Sequence, residues 1–210
     1  MNDNYIFKKA EEFKNLYQMV NDKNYLIFKQ SKYDWKYFDH LFDKKTHYKG
    51  IVLINESKKE IAIFNIGTDF RNIKDICANL KMLFKGVTAQ MKIANTYYRK
   101  IKGLCGQYKI FLVGHSEGGS ECQYVSALNP EVETYTYNAF GIGTYPEVRD
   151  SDDKNVYNFR NRYDLVSKIS THFGCVFVVI PKDKISRGVF IGFKHAHQIK
   201  NMGEIENASL

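Results

Sequence analysis

The stretch that most constrains this chain is Lys109-Ile-Phe-Leu-Val-Gly-His-Ser-Glu-Gly-Gly119. It runs from an apolar strand through a glycine-flanked turn holding one serine into the start of a helix. Ile110 to Val113 is a continuous apolar run, the pattern of a parallel strand buried on both faces. Glu117 to Leu128 has helical character, with Cys122, Val125 and Leu128 on one face, and Asn129-Pro130 ends it. Gly114-His115-Ser116-Glu117-Gly118 therefore sits where a strand must turn sharply into a helix. That context gives meaning to an otherwise short G-x-S-x-G match. The flanking glycines let strand and helix approach closely. The serine is lifted clear of the sheet at the N-terminus of a helix, where free N–H groups and the dipole favour a developing negative charge.

The rest of the chain suits such a turn. Apolar periodicity predicts an amphipathic helix over Ile6 to Val20, through Phe7, Ala10, Phe13, Tyr17 and Val20. Residues 22–48 read as an aromatic, irregular segment in which Tyr33, Trp35, Tyr37 and Phe38 cover the core. Gly50–Ile54 and Ile61–Phe64 are β-rich runs joined by a hairpin loop, Asn55 to Lys59. Helical patterns occupy Ile76–Phe84 and Val87–Leu104. Further strands are predicted at Thr134–Tyr137, Val156–Phe159, Val176–Ile180 and Val189–Phe193, with a polar, Asp-rich loop over 144–155. Strands and helices alternate through the middle, which predicts a mostly parallel sheet flanked by helices.

Composition removes several classes. At 210 residues, 44% hydrophobic and 15% aromatic, the chain reads as one globular domain spanning 1–210. No apolar run reaches the length of a membrane span. The N-terminus lacks the charged-then-apolar order of a signal peptide, so the expected location is cytoplasmic, with signal-independent export left open. The net charge of +8 is spread along the chain and is mostly lysine. It implies a solvated basic surface or attraction to anionic membrane lipid, and no motif supports nucleic-acid binding. Cys77, Cys105, Cys122 and Cys175 show no C-x-x-C spacing and are expected to be buried free thiols; no metal site or cofactor is implied. Nothing in the sequence speaks to oligomeric state.

A serine hydroxyl becomes a nucleophile only when a base takes its proton, and that base must be oriented by a carboxylate. On this turn the expected chain order is serine, acid, histidine. Asp164, in Asn161-Arg-Tyr-Asp-Leu-Val166, follows a strand at its carboxyl end, the edge where open α/β sheets place their sites. Asp150, Asp152 and Asp153 compete for the role but precede that strand in a solvated charge cluster. His195 and His197 both follow the last expected strand. Two residues apart in an extended stretch, they point the same way, so spacing does not separate them. His172 lies too close to Asp164 along the chain to lead. His115 reads as structural, and His40 and His47 as surface or core residues. The oxyanion requires two N–H donors: the Glu117 amide and, after the strand ending at Phe64, the Thr68 amide in Phe64-Asn-Ile-Gly-Thr-Asp-Phe70.

Together these stretches resemble the class 3 lipase family, the fungal-lipase-like branch of the α/β hydrolases. Thr46-His-Tyr-Lys-Gly-Ile-Val and Glu60-Ile-Ala-Ile-Phe-Asn-Ile-Gly-Thr-Asp69 are similar to that family's strand pair ending in Arg-Gly-Thr. Asp75 to Leu80 and Thr88 to Ala94 resemble its following helices. Val113-Gly-His-Ser-Glu-Gly-Gly119 resembles its Gly-His-Ser-Leu-Gly-Gly elbow, and Tyr137-Asn-Ala-Phe-Gly141 a later strand end. Asn158 to Val166 resembles its aspartate loop. His197-Gln-Ile-Lys-Asn-Met202 is similar to its His-Ser-Ile-x-Asn ending, which favours His197 over His195. The resemblance spans about residues 46–202, a lipase-like core preceded by a covering segment, 1–45, and it is nearest to small bacterial or phage-type members. It implies an α/β-hydrolase fold and a serine hydrolase acting on carboxylic esters of lipids or on small esters, with a Ser116-Asp164-His197 triad and an acyl-enzyme intermediate. An acyltransferase or peptidase on the same triad, and a non-catalytic binding module on the same fold, are the alternatives. Two residues depart from the family's pattern: Ile66 where Arg is usual, and Glu117 where Leu is usual. Either 70–86 or 142–155 is expected to cover the site.

Overall fold

Apolar residues on both faces of the middle strands require a layer of helices on each side, and the chain supplies them from different regions. The computed structural model describes residues 3–21, 34–67, 86–181, 196–205 and 208. Its elements are α1 (Asp3–Asn21), β1 (Lys36–Phe42), β2 (Lys49–Asn55), β3 (Glu60–Asn65), α2 (Ala89–Cys105), β4 (Lys109–His115), α3 (Glu117–Leu128), β5 (Glu133–Tyr137), β6 (Val156–Asn161) and β7 (Cys175–Val179). The strands form one seven-stranded sheet in sequence order. β1, β2 and β3 pair antiparallel; β3 through β7 pair parallel. This is an α/β-hydrolase fold, a mixed sheet flanked by helices.

Alternation along each strand feeds two cores. Ile51, Leu53, Ala62, Phe64, Phe111, Val113, Tyr135 and Tyr137 face α1, against Ile6, Ala10, Phe13, Leu16, Tyr17 and Val20. Val52, Ile54, Ile61, Ile63, Ile110 and Leu112 face the other way, against α2 and α3 through Ala94, Tyr97, Tyr98, Ile101, Cys122 and Val125. Phe13 sits at the centre of the α1 layer, its ring 5.1 Å from Phe111 and 5.2 Å from Tyr135. The α2 helix starts at a Thr88 cap, whose hydroxyl accepts from the Met91 amide. Ile142, Tyr145 and Val148 are buried with Met91, Tyr124 and Phe173, which seats part of the 142–155 segment against α2 and α3. Among the described residues no helix is long and apolar enough to cross a membrane.

Most expected elements appear within a residue or two of their predicted bounds, with four differences. First, residues 36–42 form a strand rather than irregular cover. Its pairing with β2 slips between Tyr37 and Asp39, and that irregularity breaks the period-two pattern by which a strand is read from sequence. Second, β1 lies at the sheet edge, so Phe38 is exposed and Tyr37 only partly buried, while Trp35 is fully buried. Third, Leu128 is exposed at the end of α3, where the helix face has run past the sheet. Fourth, Cys105 and Cys122 are buried free thiols, whereas Cys175 is an exposed one at the start of β7. Cys77, Tyr33, the expected helix at Ile76–Phe84 and the expected strand at Val189–Phe193 lie outside the described residues.

Candidate active site

Ser116 lies at the turn between β4 and α3 with φ 57° and ψ −127°, a left-handed conformation costly for a residue with a side chain. The surrounding contacts enforce it. Its amide donates to the Tyr137 carbonyl of the adjacent strand (3.0 Å). Its carbonyl accepts from the Gly119 and Ser120 amides, starting α3. A Cβ at Gly114 would fall 2.3 Å from the Gly118 carbonyl oxygen, and one at Gly118 would fall 2.1 Å from that of Asn65. Only glycine at both positions lets strand, turn and helix close on one another, and the hydroxyl is left standing at the carboxyl edge of the sheet.

Three side chains from three separate segments meet there. His197 Nε2 lies 2.8 Å from Ser116 Oγ, and His197 Nδ1 lies 3.0 Å from Asp164 Oδ2. All three are buried: Asp164 has no exposed surface, Ser116 2% and His197 4%. Asp164 sits in the loop after β6, and its carboxylate also accepts from the Val166 amide (3.1 Å) and the Ser167 amide (3.2 Å). Burial resists ionisation of this carboxyl, but His197 and the hydrogen bonds from Ser167 and Val166 outweigh it and hold its pKa below the ordinary value. The acceptor beside His197 Nδ1 is thus a carboxylate. That assigns the proton to Nδ1 and leaves Nε2 as an acceptor facing the serine hydroxyl.

The other titratable groups fall outside this chain of contacts. His172 donates from Nε2 to the Ser167 carbonyl (2.8 Å) and is kept from charging chiefly by burial. Asp150 and Asp152 pair with neighbouring cations on the surface, where Asp153 is exposed too. His40 and His47 are exposed. His195 and Thr68 lie outside the described residues. The Glu117 amide is at the start of α3, directly after the serine. Gly67, the residue before Thr68, packs on the elbow: a Cβ there would meet the His115 carbonyl oxygen at 2.6 Å and the Glu117 nitrogen at 3.5 Å. Glu121, one turn along α3, is fully buried with its Oε2 unpartnered; burial and the charge of Glu117 push its pKa well above the ordinary range. Among the described residues no three His, Cys, Asp or Glu side chains gather as metal ligands.

Three polar residues of this neighbourhood are not singled out as functional by sequence reasoning: His115, Asn138 and Asn161. Each stands at or just past the carboxyl end of a strand, and all three donate to the backbone beside His197. An asparagine at consecutive strand ends was the available signal. Their convergence depends on the register of three parallel strands.

No protein-family model matches the sequence, and a comparison with curated proteins gives no match. Solved structures do match. A triacylglycerol lipase from Penicillium expansum aligns with TM-score 0.55 and 18% identity, covering 82% of this chain and 81% of that one. A lipase from Rhizopus microsporus var. chinensis aligns with TM-score 0.55 and 16% identity over 84% and 76% of the two chains. The Lip2 lipase of Yarrowia lipolytica aligns with TM-score 0.55 and 12% identity over 82% and 79%. At such identities the likeness is one of fold: the chain has the fungal-lipase-like form of the α/β-hydrolase architecture.

Proposed function

We propose that this protein is a lipase-type serine hydrolase that cleaves carboxylic esters through Ser116, His197 and Asp164. The observation that carries the reading is His197, which bridges a buried carboxylate at 3.0 Å and a strained-turn serine at 2.8 Å. Ser116 Oγ attacks the ester carbonyl carbon while His197 Nε2 takes its proton. Asp164 stabilises the imidazolium and holds its orientation. The electron pair driven onto the carbonyl oxygen is met by the Glu117 amide and, as the sequence suggests, by the Thr68 amide. Collapse of the tetrahedral intermediate expels the alcohol, which leaves with the proton from Nε2, and an ester to Ser116 forms. Water, deprotonated by the same imidazole, then releases the acid and restores the hydroxyl.

The substrate class proposed is a lipid or small ester. Support comes from the lipase fold and from solved neighbours that include a fungal lipase–inhibitor complex described as a model for interfacial activation. Membership among small bacterial or phage-type enzymes, and contact of the basic surface with anionic membranes, are readings of the sequence. The test is hydrolysis of short- to long-chain acyl esters and phospholipid vesicles by the wild type and by Ser116→Ala. Turnover that vanishes in the variant supports the reading, and the chain-length profile separates esterase from lipase. An unchanged rate in Ser116→Ala overturns it.

A further inference from the structure

The acid and the nucleophile sit on turns tied to the ends of β6 and β4, but His197 does not. The sequence places it in an extended stretch, but its described neighbourhood is helical: Ala196 and His197 end a helix, a 3₁₀ turn, Ile199–Asn201, follows, and His197 pairs with no described strand. The carbonyls at this helix end are held by side chains. The carbonyl of His197 accepts from His115 Nε2 (2.6 Å) and Asn138 Nδ2 (3.0 Å). The carbonyl of Ala196 accepts from Asn138 Nδ2 (3.2 Å) and Asn161 Nδ2 (3.0 Å). Each oxygen offers two lone pairs, so both are saturated. We infer that His115, Asn138 and Asn161 are positioning residues, a cradle at three adjacent strand ends that sets His197 in register with Ser116 and Asp164. The inference rests on the proposed triad and adds to it the device that keeps the base in place.

The local chemistry fits that task at each position. A carbonyl acceptor requires His115 to carry its proton on Nε2. Burial, with His197 nearby, pushes the His115 pKa down to about 3, so the ring is a neutral donor. Its centroid lies 5.0 Å from that of His197, where a second cation would oppose the imidazolium formed in the reaction. Asn138 has φ 47°, a left-handed conformation that asparagine tolerates better than most residues. From there its Nδ2 spans both carbonyls, while its Oδ1 accepts from the Asn161 amide (2.7 Å). Asn161 links base to acid: its Oδ1 accepts from the Tyr163 amide (3.0 Å) and its carbonyl from the Asp164 amide (3.0 Å). Strand register lines the three up, with His115 opposite Tyr137 and Tyr137 opposite Phe159.

The experiment compares wild type, His115→Gln, His115→Leu and Asn138→Asp, all in the full chain and each checked for folding by its melting transition. His115→Gln restores an N–H donor at similar reach, whereas His115→Leu removes it. Asn138→Asp keeps the acceptor for Asn161 and the compatible backbone but loses the donor. Three quantities are read: the downfield imidazole N–H resonance of the His197–Asp164 bond, the rate of labelling by a fluorophosphonate, and kcat and KM on a soluble ester. A misplacement of about 1 Å in such a constellation costs roughly a hundredfold. His115→Leu and Asn138→Asp are therefore expected to lose about ten- to a hundredfold in kcat and labelling with KM nearly unchanged, and to lose or broaden the resonance. His115→Gln is expected to recover most of each. Wild-type resonance in folded His115→Leu and Asn138→Asp overturns the cradle, as does equal loss in His115→Gln and His115→Leu. A resonance that behaves as expected in a wild type without turnover or labelling overturns the hydrolase reading and leaves the cradle standing.

Discussion

Ser116 and His197 meet at 2.8 Å, yet they are held by opposite means. Ser116 is fixed by its main chain, in a turn that glycines at 114 and 118 allow and that the Tyr137 carbonyl pins. His197 is fixed by side chains reaching to its main chain from β4, β5 and the end of β6. The nucleophile end is rigid because strand and helix continue through it. Among the described residues the base end combines core packing by Ile199 and Met202 with four side-chain hydrogen bonds whose donors can be removed singly. The elbow is thus expected to fail by steric crowding, all at once, and the base by graded loss of alignment.

The largest effect is expected at the acid that joins the two. In Asp164→Asn an amide replaces the carboxylate acceptor beside Nδ1, and the imidazole is driven toward the wrong tautomer. A loss of about 10⁴-fold in kcat is expected. Single-turnover kinetics on a chromogenic ester would check it, and a loss below tenfold would remove Asp164 from the triad. Next comes Gly118→Ala. The added methyl would lie 2.1 Å from the Asn65 carbonyl oxygen and 2.9 Å from the Gly67 nitrogen, both backbone atoms that side-chain rotation cannot move. A cost of roughly 1–3 kcal/mol, measured by urea unfolding, is expected with loss of activity. Full activity and wild-type stability would show that the elbow yields, and the contrast with the base would collapse.

Acid should act on the base end. His115 is held near pKa 3 in the folded chain, against about 6.5 when unfolded. Below pH 6.5 the unfolded chain therefore binds a proton that the folded chain refuses, and stability falls from there down to about pH 3. His172, also lowered, adds in the same direction. Asp164, whose folded pKa is depressed, adds its own loss at more acidic pH still. The His115 contribution is on the order of a few kcal/mol, and His115→Gln should flatten the slope of stability between pH 6.5 and 3. An unchanged slope in that variant would mean that His115 charges freely in the folded state, which its bond to a carbonyl does not accommodate.

How much of this was legible in the sequence follows the same division. The elbow is written in one contiguous stretch, because backbone strain needs particular residues at adjacent positions. The two-sided apolar runs at β3 and β4 likewise announce a sheet covered on both faces. β1 escaped because its bulge breaks the alternation and an edge strand needs less apolar content. Asp164 was readable from its place after a strand. His197 was not separable from His195 by spacing, and only the resemblance of His197-Gln-Ile-Lys-Asn to a known ending favoured it. His115, Asn138 and Asn161 act across 82, 59 and 35 residues of chain, so no local pattern marks them. Side-chain bonds to distant carbonyls depend on register, and register is a property of the assembled sheet.

The smallest expected effect tests whether the N-terminal helix belongs to the rigid end. The Tyr17 hydroxyl, on α1, accepts from the Gly67 amide at 3.3 Å and donates to the Asn65 carbonyl at 3.4 Å. Its ring lies 5.8 Å from that of His115. Both bonds are long, and Tyr17→Phe keeps the ring in the core, so a cost of only about 1 kcal/mol in stability is expected. The rate is more telling. Gly67 lies against the first turn of α3 and leads into Thr68, so loosening it relaxes the expected oxyanion side while the base stays in its cradle. A fall in kcat of less than about tenfold, with the imidazole resonance unmoved, is the expected outcome. A shifted resonance would instead show that Tyr17 works through His115, and α1 would then belong to the graded, side-chain-held half of the site.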